Sequence, residues 1–442
     1  MEGITGEILK QLPSRAIAKV AEIFNAMIDL GYFPKAWKLA EIIVLPKPGK
    51  PPEKVSSYRP ISLLPLFSKL FERCYLKRLL PLLNEGNIIP DHQFGFRAGH
   101  STIEQVHRMT ALVEKALEEK KVCSAAFLDV AQAFDKVWQL GLLCKIRILL
   151  PENHFRLLKS YLHGRKFRVR FNNSYSKFHS ITAGIPQGSV LGPILYNIFT
   201  YDIPKPIEGF IGTFADDTSL AEIDKDLHSA NNKLQISLNN VSSWVEINGT
   251  TLNAQKSNHI IFTNRKITPK PVFLNGEQVP LVSVARSLGI YLDSRLTFKD
   301  HINIKVKELN IKYKKMHWLL NKKSKLSIKN KLLLYNQILR PIWLYGCQIW
   351  GCASNSNIQK IESFQSKVLR TIIGAPWFVR NVDIRRELEM PSVKQTIRDT
   401  ALRYEDRLHI HSNSAGLELL NTSIINRRLK RTNVFDLPSR FV

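Results

Sequence analysis

Phe127-Leu128-Asp129-Val130 and Thr213-Phe214-Ala215-Asp216-Asp217-Thr218 are the two stretches on which the fold turns. Each sets aspartate at the end of an apolar run that reads as a β-strand. A carboxylate in such a place is costly unless its charge is compensated. Bound divalent cations compensate it, and two of them can clamp the entering and leaving oxygens of an in-line displacement at phosphorus. Mg²⁺ suits the task because it takes a few carboxylates together with phosphate oxygens and water. The reading is that Asp129 on one strand and Asp216 at a neighbouring hairpin converge on two Mg²⁺ ions, with Asp217 as the adjacent ligand or tuner. Paired aspartates alone are a weak signal. Ile211, Phe214 and Leu220 strengthen it by setting the pair on an apolar hairpin. Between the two stretches lies Ala183-Gly184-Ile185-Pro186-Gln187-Gly188-Ser189-Val190-Leu191-Gly192-Pro193, whose glycines allow backbone to approach a ligand closely. Together these residues imply a nucleotide-polymerising enzyme.

The composition agrees. A chain of 442 residues can bury a large core divided over several subdomains. Hydrophobic content of 44% excludes a disordered chain. No run approaches the ~18 apolar residues of a membrane span. The N-terminus lacks the layout of a secretory signal. Five scattered cysteines suggest reduced thiols in a cytosolic or nuclear compartment. A formal charge of +27 favours a polyanionic partner, and its spread over several segments favours nucleic acid over a membrane surface.

Apolar spacing predicts a helix over residues 7–30, stopped by Gly31, then a strand over 40–46 running into the turn Lys47-Pro48-Gly49-Lys50-Pro51-Pro52. Helices are expected over 65–83 and 101–120. The first carries Lys69, Arg73 and Lys77 in a stripe that reads as solvated surface. Paired strands are expected around Asn172-Asn173, a helix over 193–200, a strand–turn–strand over 211–220, a helix over 231–247, and short strands over 257–262 and 287–292. From Lys299 to Arg340 there are eleven Lys and one Arg against Asp300 and Glu308. Ile302, Val306, Leu309, Tyr313, Met316 and Leu320 mark the packed face of a helix there, with the lysines largely off it, a pattern that favours nucleic-acid contact. The tail ends in Arg427-Arg428-Leu429-Lys430-Arg431. Gly49-Lys50 lacks the surroundings of a P-loop. Cys347 and Cys352 lack a second ligand pair for zinc and read as buried thiols. His154, His163 and His179 show no evident partners in the sequence.

The order of parts carries a resemblance. Ala126 to Trp138 resembles motif A of the reverse transcriptases of non-LTR (LINE-type) retrotransposons, Gly184 to Leu195 their motif B, and Phe214-Ala215-Asp216-Asp217 their motif C. Leu45 to Lys50, Ser57 to Leu64, Gln93-Phe94-Gly95-Phe96-Arg97, Leu252 to Ser257 and Ser287 to Leu292 are similar to further motifs, over roughly residues 3 to 355. The arthropod jockey-like group fits best. The resemblance implies that Asp129, Asp216 and Asp217 are the catalytic, metal-associated acids. It implies that Phe134 is the bulky gate beneath the sugar that selects deoxynucleotides; the competing reading is a core phenylalanine. Gln187 and Gly188 then meet the incoming nucleotide or its template base, and Lys47 and Arg59 hold the triphosphate, with Lys50 as a substitute for Lys47. Lys256, in the motif D match, is the general acid for the leaving pyrophosphate, against the plainer reading of a surface lysine.

The architecture so implied is α+β, a right-hand polymerase. Fingers are expected over 1–125, a palm with a mixed, mainly antiparallel sheet over 126–298, a basic helical thumb over 299–355 and a C-terminal helical segment over 356–442. Elements of this kind usually carry an endonuclease before the polymerase, and this chain lacks the length for one, so a 5′-truncated reading frame is expected. The implied function is RNA-directed DNA polymerisation in the nucleus after a cytoplasmic ribonucleoprotein stage, with RNA template, DNA primer or target DNA and deoxynucleoside triphosphates as partners, and no membrane. The rival from another class is a truncated, catalytically inactive nucleic-acid-binding relic. Intron-encoded maturases and telomerase are third readings, against which the jockey-like tail argues.

Overall fold

The computed structural model describes residues 5–54 and 57–420, with 428–429, 432 and 434–436. The chain opens with helices α1 (Gly6–Lys10) and α2 (Ser14–Leu30). One continuous helix was expected here. Pro13 divides it, because proline lacks the N–H that a helix interior needs and disfavours helical geometry in the residue before it. The buried face of α2 is Phe24, Met27 and Ile28, while Ile23 and Leu30 stay exposed. Gly31 ends α2 in the left-handed conformation, as expected.

Strands β1 (Leu39–Pro46) and β2 (Tyr58–Leu63) follow, then α3 (Leu66–Glu85), α4 (Thr102–Glu118) and β3 (Val122–Leu128). Arg73 and Lys77 of α3 are exposed and Lys69 is half-buried, in keeping with a solvated stripe. A capping box between Ser101 and Glu104 starts α4 and stabilises it by about 1 kcal/mol. Next come α5 (Gln139–Leu149), α6 (Glu152–Leu162), β4 (Lys166–Phe171), β5 (Ser174–Tyr175), β6 (His179–Ser180), α7 (Gly192–Phe199), β7 (Phe210–Phe214), β8 (Asp217–Asp224), α8 (Leu227–Ile247) and β9 (Asn258–Phe262). Two small hairpins, β10–β11 (Phe273–Leu274, Glu277–Gln278) and β12–β13 (Val284–Ser287, Ile290–Asp293), lead into the helices α9 (Lys299–Leu320), α10 (Ile328–Leu334), α11 (Arg340–Leu344), α12 (Cys347–Trp350), α13 (Asn355–Ile373), α14 (Asn381–Glu387), α15 (Val393–His409) and α16 (Ser414–Leu417). The single strand expected over 287–292 is instead the turn of β12–β13. Leu288 and Gly289 both take positive φ, as a tight two-residue hairpin requires. Among the described residues no helix is long and apolar enough to cross a membrane.

Two sheets organise the molecule. One has the order β2-β1-β4-β5 with β6 on β4, and its β1–β4 pair is parallel. Strands β4–β6 were expected in the palm stretch, yet they complete the sheet begun by β1 and β2. The other sheet, β7-β8-β3-β9, is antiparallel throughout, so the mixed sheet lies elsewhere than expected. β3 is one of its two inner strands and begins at Val122, ahead of the expected boundary at 126. Its alternation explains its composition. Cys123 and Ala125 pack into the core beneath α4, whereas Ala126 and Leu128 pack into the core beneath α8. The first of these cores runs on without a break through α9, α13 and α15. A division at 355/356 therefore matches no packing boundary. The expected apolar face of α9 is the one that packs, with Ile302, Leu309, Tyr313, Met316 and Leu320 buried.

Of the basic end at 427–431, Arg428 and Leu429 are described and the other positions lie outside the described residues. Arg428 donates to the Leu117 and Glu118 carbonyls and so caps the last turn of α4. None of the five cysteines forms a disulfide; Cys347 is buried and Cys352 half-buried. His154 has a partner that its sequence neighbourhood does not disclose, since its Nδ1 lies 2.8 Å from the Tyr75 hydroxyl.

Candidate active site

The two inner strands and the edge strand β7 bring the aspartates together. β3 pairs with β8 so that Leu128 faces Thr218; one residue further along stand Asp129 and Asp217. β8 pairs with β7 so that Phe214 faces Asp217, which leaves Ala215-Asp216 as the turn. A turn this short needs left-handed backbone, and Ala215 supplies it with φ of 59°. For an alanine that conformation costs about 1–2 kcal/mol. The segment from His92 to Gly95 holds it in place. Thr213 N donates to His92 O at 3.0 Å and Phe94 N to Thr213 O at 2.9 Å. The buried Gln93 side chain accepts from Gly95 N at 2.8 Å and from Ala215 N at 3.2 Å. Gly95 lies so close that an added Cβ would stand 2.1 Å from Ala215 N.

Asp216 and Asp217 are both exposed at the strand ends, and Asp129 is half-exposed. The surrounding protein still removes enough water to raise the Asp216 carboxyl above the ordinary range. The Asp129 charge adds to the rise; a backbone hydrogen bond and Arg59 oppose it. Asp217 is pushed up to about 6, first by desolvation, then by Asp216 and Asp129, with Arg286 opposing. The three acids thus repel one another across a short gap. Among the described residues no group of three or more His, Cys, Asp or Glu side chains forms a ready-made metal cage. An open set of carboxylates under mutual repulsion is nonetheless the donor chemistry of a hard divalent cation that keeps waters and substrate phosphates as its other ligands. A cation there would relieve the repulsion.

Of the other residues named from the sequence, Lys256 and Arg59 lie beside these acids, Lys47 and Gln187 meet at Asp135 instead, and Lys50 is brought to neither group. Lys256 Nζ lies 3.7 Å from Asp129 Oδ2. The Asp129 backbone is pinned from the same segment: its N–H donates to Ser257 Oγ at 3.1 Å and its carbonyl accepts from Asn253 N at 2.9 Å. Arg59 projects from β2, exposed, and its charge reaches Asp216. Lys47, at the end of β1, reaches Asp135 with its charge, and Gln187 Nε2 donates to Asp135 Oδ1 at 2.9 Å. Gln187 O accepts from Ser62 N at 2.8 Å, which seats its turn against β2. Gly188 is required there: its φ is 111°, and an added Cβ would stand 2.7 Å from Ser62 O. Phe134 is half-buried in an aromatic stack. Its ring lies 4.8 Å from Tyr196 at 23° and 5.9 Å edge-on from Phe96. Tyr196 in turn feels the charges of Asp216 and Asp217. Lys50 is exposed in the turn after β1.

Three structural contributors went unassigned in the sequence. Asp135 joins Lys47 to Gln187. Gln93 buttresses the Ala215-Asp216 turn. Glu72, fully buried on α3, accepts from Val190 N at 2.8 Å and Leu191 N at 3.1 Å, as well as from Ser68 and Tyr161, and so anchors the glycine-rich segment where α7 begins. The signal for Glu72 was a carboxylate inside the apolar stripe Phe71, Tyr75 and Leu79, where an unpaired charge is not tolerated.

The antiparallel sheet with acids at its strand ends is matched by the family model described as reverse transcriptase (RNA-dependent DNA polymerase), over residues 45–319. The chain belongs to that family, and its α+β fold is of the right-hand polymerase type. It is 44% identical, over 99% of its length, to a probable RNA-directed DNA polymerase from transposon X-element of Drosophila melanogaster, and 41% identical, over 98%, to one from transposon BS of the same organism. It is 40% identical, over 98%, to the RNA-directed DNA polymerase from mobile element jockey of Drosophila melanogaster. The resemblance to jockey-like sequences therefore holds over nearly the whole chain. In each case the match covers 49% of the relative, so the chain spans about half the length of these relatives.

Proposed function

We propose that this chain extends a DNA 3′ end on an RNA template, adding deoxynucleotides and releasing pyrophosphate. The observation that carries the reading is the strand register that sets Asp129, Asp216 and Asp217 side by side within reach of one another's charge. Asp129, Asp216 and Asp217 are the residues to hold two Mg²⁺ ions. Bound there, the ions supply charge stabilisation to the entering and leaving oxygens. Arg59 and Lys47 grip the triphosphate, Arg through its planar fork and Lys as a point charge. Gln187 and Gly188 meet the nucleotide or its template base, and the Asp135 hydrogen bond sets the Gln187 amide. Phe134, held by Tyr196, blocks the ribose 2′-hydroxyl. Lys256, 3.7 Å from Asp129 in the free protein, delivers a proton to the leaving pyrophosphate. In regional terms, α2, α3 and the β2-β1-β4 sheet act as fingers, β7-β8-β3-β9 as palm, and α9 to α12 as a thumb whose lysines grip duplex backbone. The work is done in the nucleus, on nicked chromosomal DNA, after assembly with RNA in the cytoplasm; a tagged chain that never enters nuclei contradicts this.

Primer extension on poly(rA)/oligo(dT) with Mg²⁺ is the test. Extension by the wild type is expected, and Asp216→Ala should fall by about 10³-fold or more, the loss of several kcal/mol of charge stabilisation. In the same assay Phe134→Ala should admit ribonucleotides. If wild type and Asp216→Ala bind duplex equally and neither extends it, the non-catalytic binding relic is the correct reading.

A further inference from the structure

Trp377 and Phe378 lie on the loop between α13 and α14 and are 90% and 68% exposed. Large aromatic side chains normally contribute through burial, so two neighbours left in water are conspicuous. Their rings meet edge to face at 6.0 Å and 82°. The loop is held firmly. Arg370 of α13 donates through Nε to Asn381 Oδ1 at 2.9 Å, through Nη1 to Pro376 O at 2.8 Å, and through Nη2 to Val379 O. One guanidinium thus fastens the loop on both sides of the aromatic pair and presents the rings to solvent.

The rings border a groove of about 740 Å³ between α13, the loop and the start of α15, which shares no residue with the carboxylate site. Four basic side chains line it, Arg370, Arg380, Arg385 and Lys394, against one carboxylate, Glu362. Glu362 is already satisfied: Oε1 pairs with Arg385 Nη1 at 2.8 Å and Oε2 accepts from Val393 N at 3.0 Å. The rim is therefore net positive beside two exposed aromatic rings. A single-stranded polynucleotide answers both features, with unpaired bases to stack and phosphates to pair. An acidic peptide would use the cations and leave the rings wet. A lipid surface would bury the rings and have no use for the groove.

We propose that this groove binds single-stranded nucleic acid, with bases stacked on Trp377 and Phe378 and adjacent phosphates held by Arg380 and Lys394. The site is separate from polymerisation, so its test contains neither metal nor nucleotide. Fluorescence anisotropy of a labelled 15-nucleotide oligo(U) is read on the full chain in EDTA, with saturating unlabelled duplex present to fill the polymerase cleft. The double variant Trp377→Ala/Phe378→Ala should bind roughly 10-fold more weakly or worse. Its melting temperature and its extension of a preformed primer–template should stay unchanged. Arg380→Ala should weaken binding and flatten its salt dependence. Photocrosslinks from 4-thiouridine should map to residues 377–380. Oligo(U) tighter than oligo(dT) marks RNA as the natural strand, and the reverse marks DNA. Unchanged affinity in the double variant, crosslinks confined to the carboxylate site, or equal binding of a blunt duplex overturns the proposal.

Discussion

The β7–β8 turn and the outer face of α9 use charge in opposite ways. At the turn, like charges are crowded: Asp217 is pushed up to about 6 by desolvation and by Asp216 and Asp129. The hairpin is also tethered by partners distant in sequence: the Gln93 side chain holds Ala215 N, and His92 O and Phe94 N hold Thr213. Along α9, Lys307, Lys312, Lys314 and Lys315 are exposed on a helix whose other side is packed. There no single atom is decisive and the sum of charges matters. Concentrated charge needs a rigid support, so one substitution can collapse its function. Dispersed charge tolerates substitution and loses affinity by increments.

The contrast can be broken first at its support. Gln93→Leu deletes the acceptor of two backbone N–H groups and should cost ~1–3 kcal/mol in denaturant unfolding. The Ala215 turn loses its tether as well, and single-turnover extension should slow by about 10-fold or more. Gln93→Glu keeps an acceptor oxygen and should recover most of both. A Leu variant with unchanged stability and rate would show that the turn holds itself.

A smaller effect follows from protonation. The folded Asp217 binds its proton more tightly than the unfolded chain does. This group's contribution to stability is therefore greatest below the ordinary Asp range and declines as pH rises through about 6. Added Mg²⁺ should raise the melting temperature at pH 7.5 and much less at pH 5. The Mg²⁺ concentration for half-maximal extension should rise as pH falls below about 6. Asp217→Asn should remove both trends; if it leaves them intact, another group carries them.

The smallest effect on turnover belongs to α9. Lys312→Ala/Lys314→Ala/Lys315→Ala should leave the rate at saturating duplex nearly unchanged and weaken binding alike for all sequences. The slope of log affinity against log salt should shrink by about 2–3. A sequence-dependent loss would mean that these lysines read bases.

What the sequence made legible follows the same division. Asp129, Asp216 and Asp217 stood out because acids at the ends of apolar strands break the burial rule, and β3, β7 and β8 carry strand-like runs. The packed face of α9 was legible from its period. Partners brought by tertiary structure were not. Glu72 stands out as a misplaced carboxylate, but the partners that explain it, the N–H groups of Val190 and Leu191 and the Tyr161 hydroxyl, are distant in sequence. The hairpin of β4 with β5 was legible at Asn172-Asn173, whereas the parallel pairing of β4 with β1 was not. The boundaries at 125/126 and 355/356 followed where the motif A resemblance begins and where the resemblance ends, whereas the core beneath α4 runs from β3 to α15 across both. Leu288 hid a hairpin because a leucine takes a positive φ that pattern alone would give to Gly289.

Iron-mediated cleavage tests the convergence of the acids most directly. Fe²⁺ loaded in place of Mg²⁺, with ascorbate and peroxide, cuts backbone within a few ångströms of the bound ion. Cuts are expected both around Asp129 and around Asp216-Asp217, suppressed together by excess Mg²⁺ and lost together in Asp216→Ala. Cleavage near one stretch alone, or two sets of cuts that respond independently to Mg²⁺, would contradict a shared metal site.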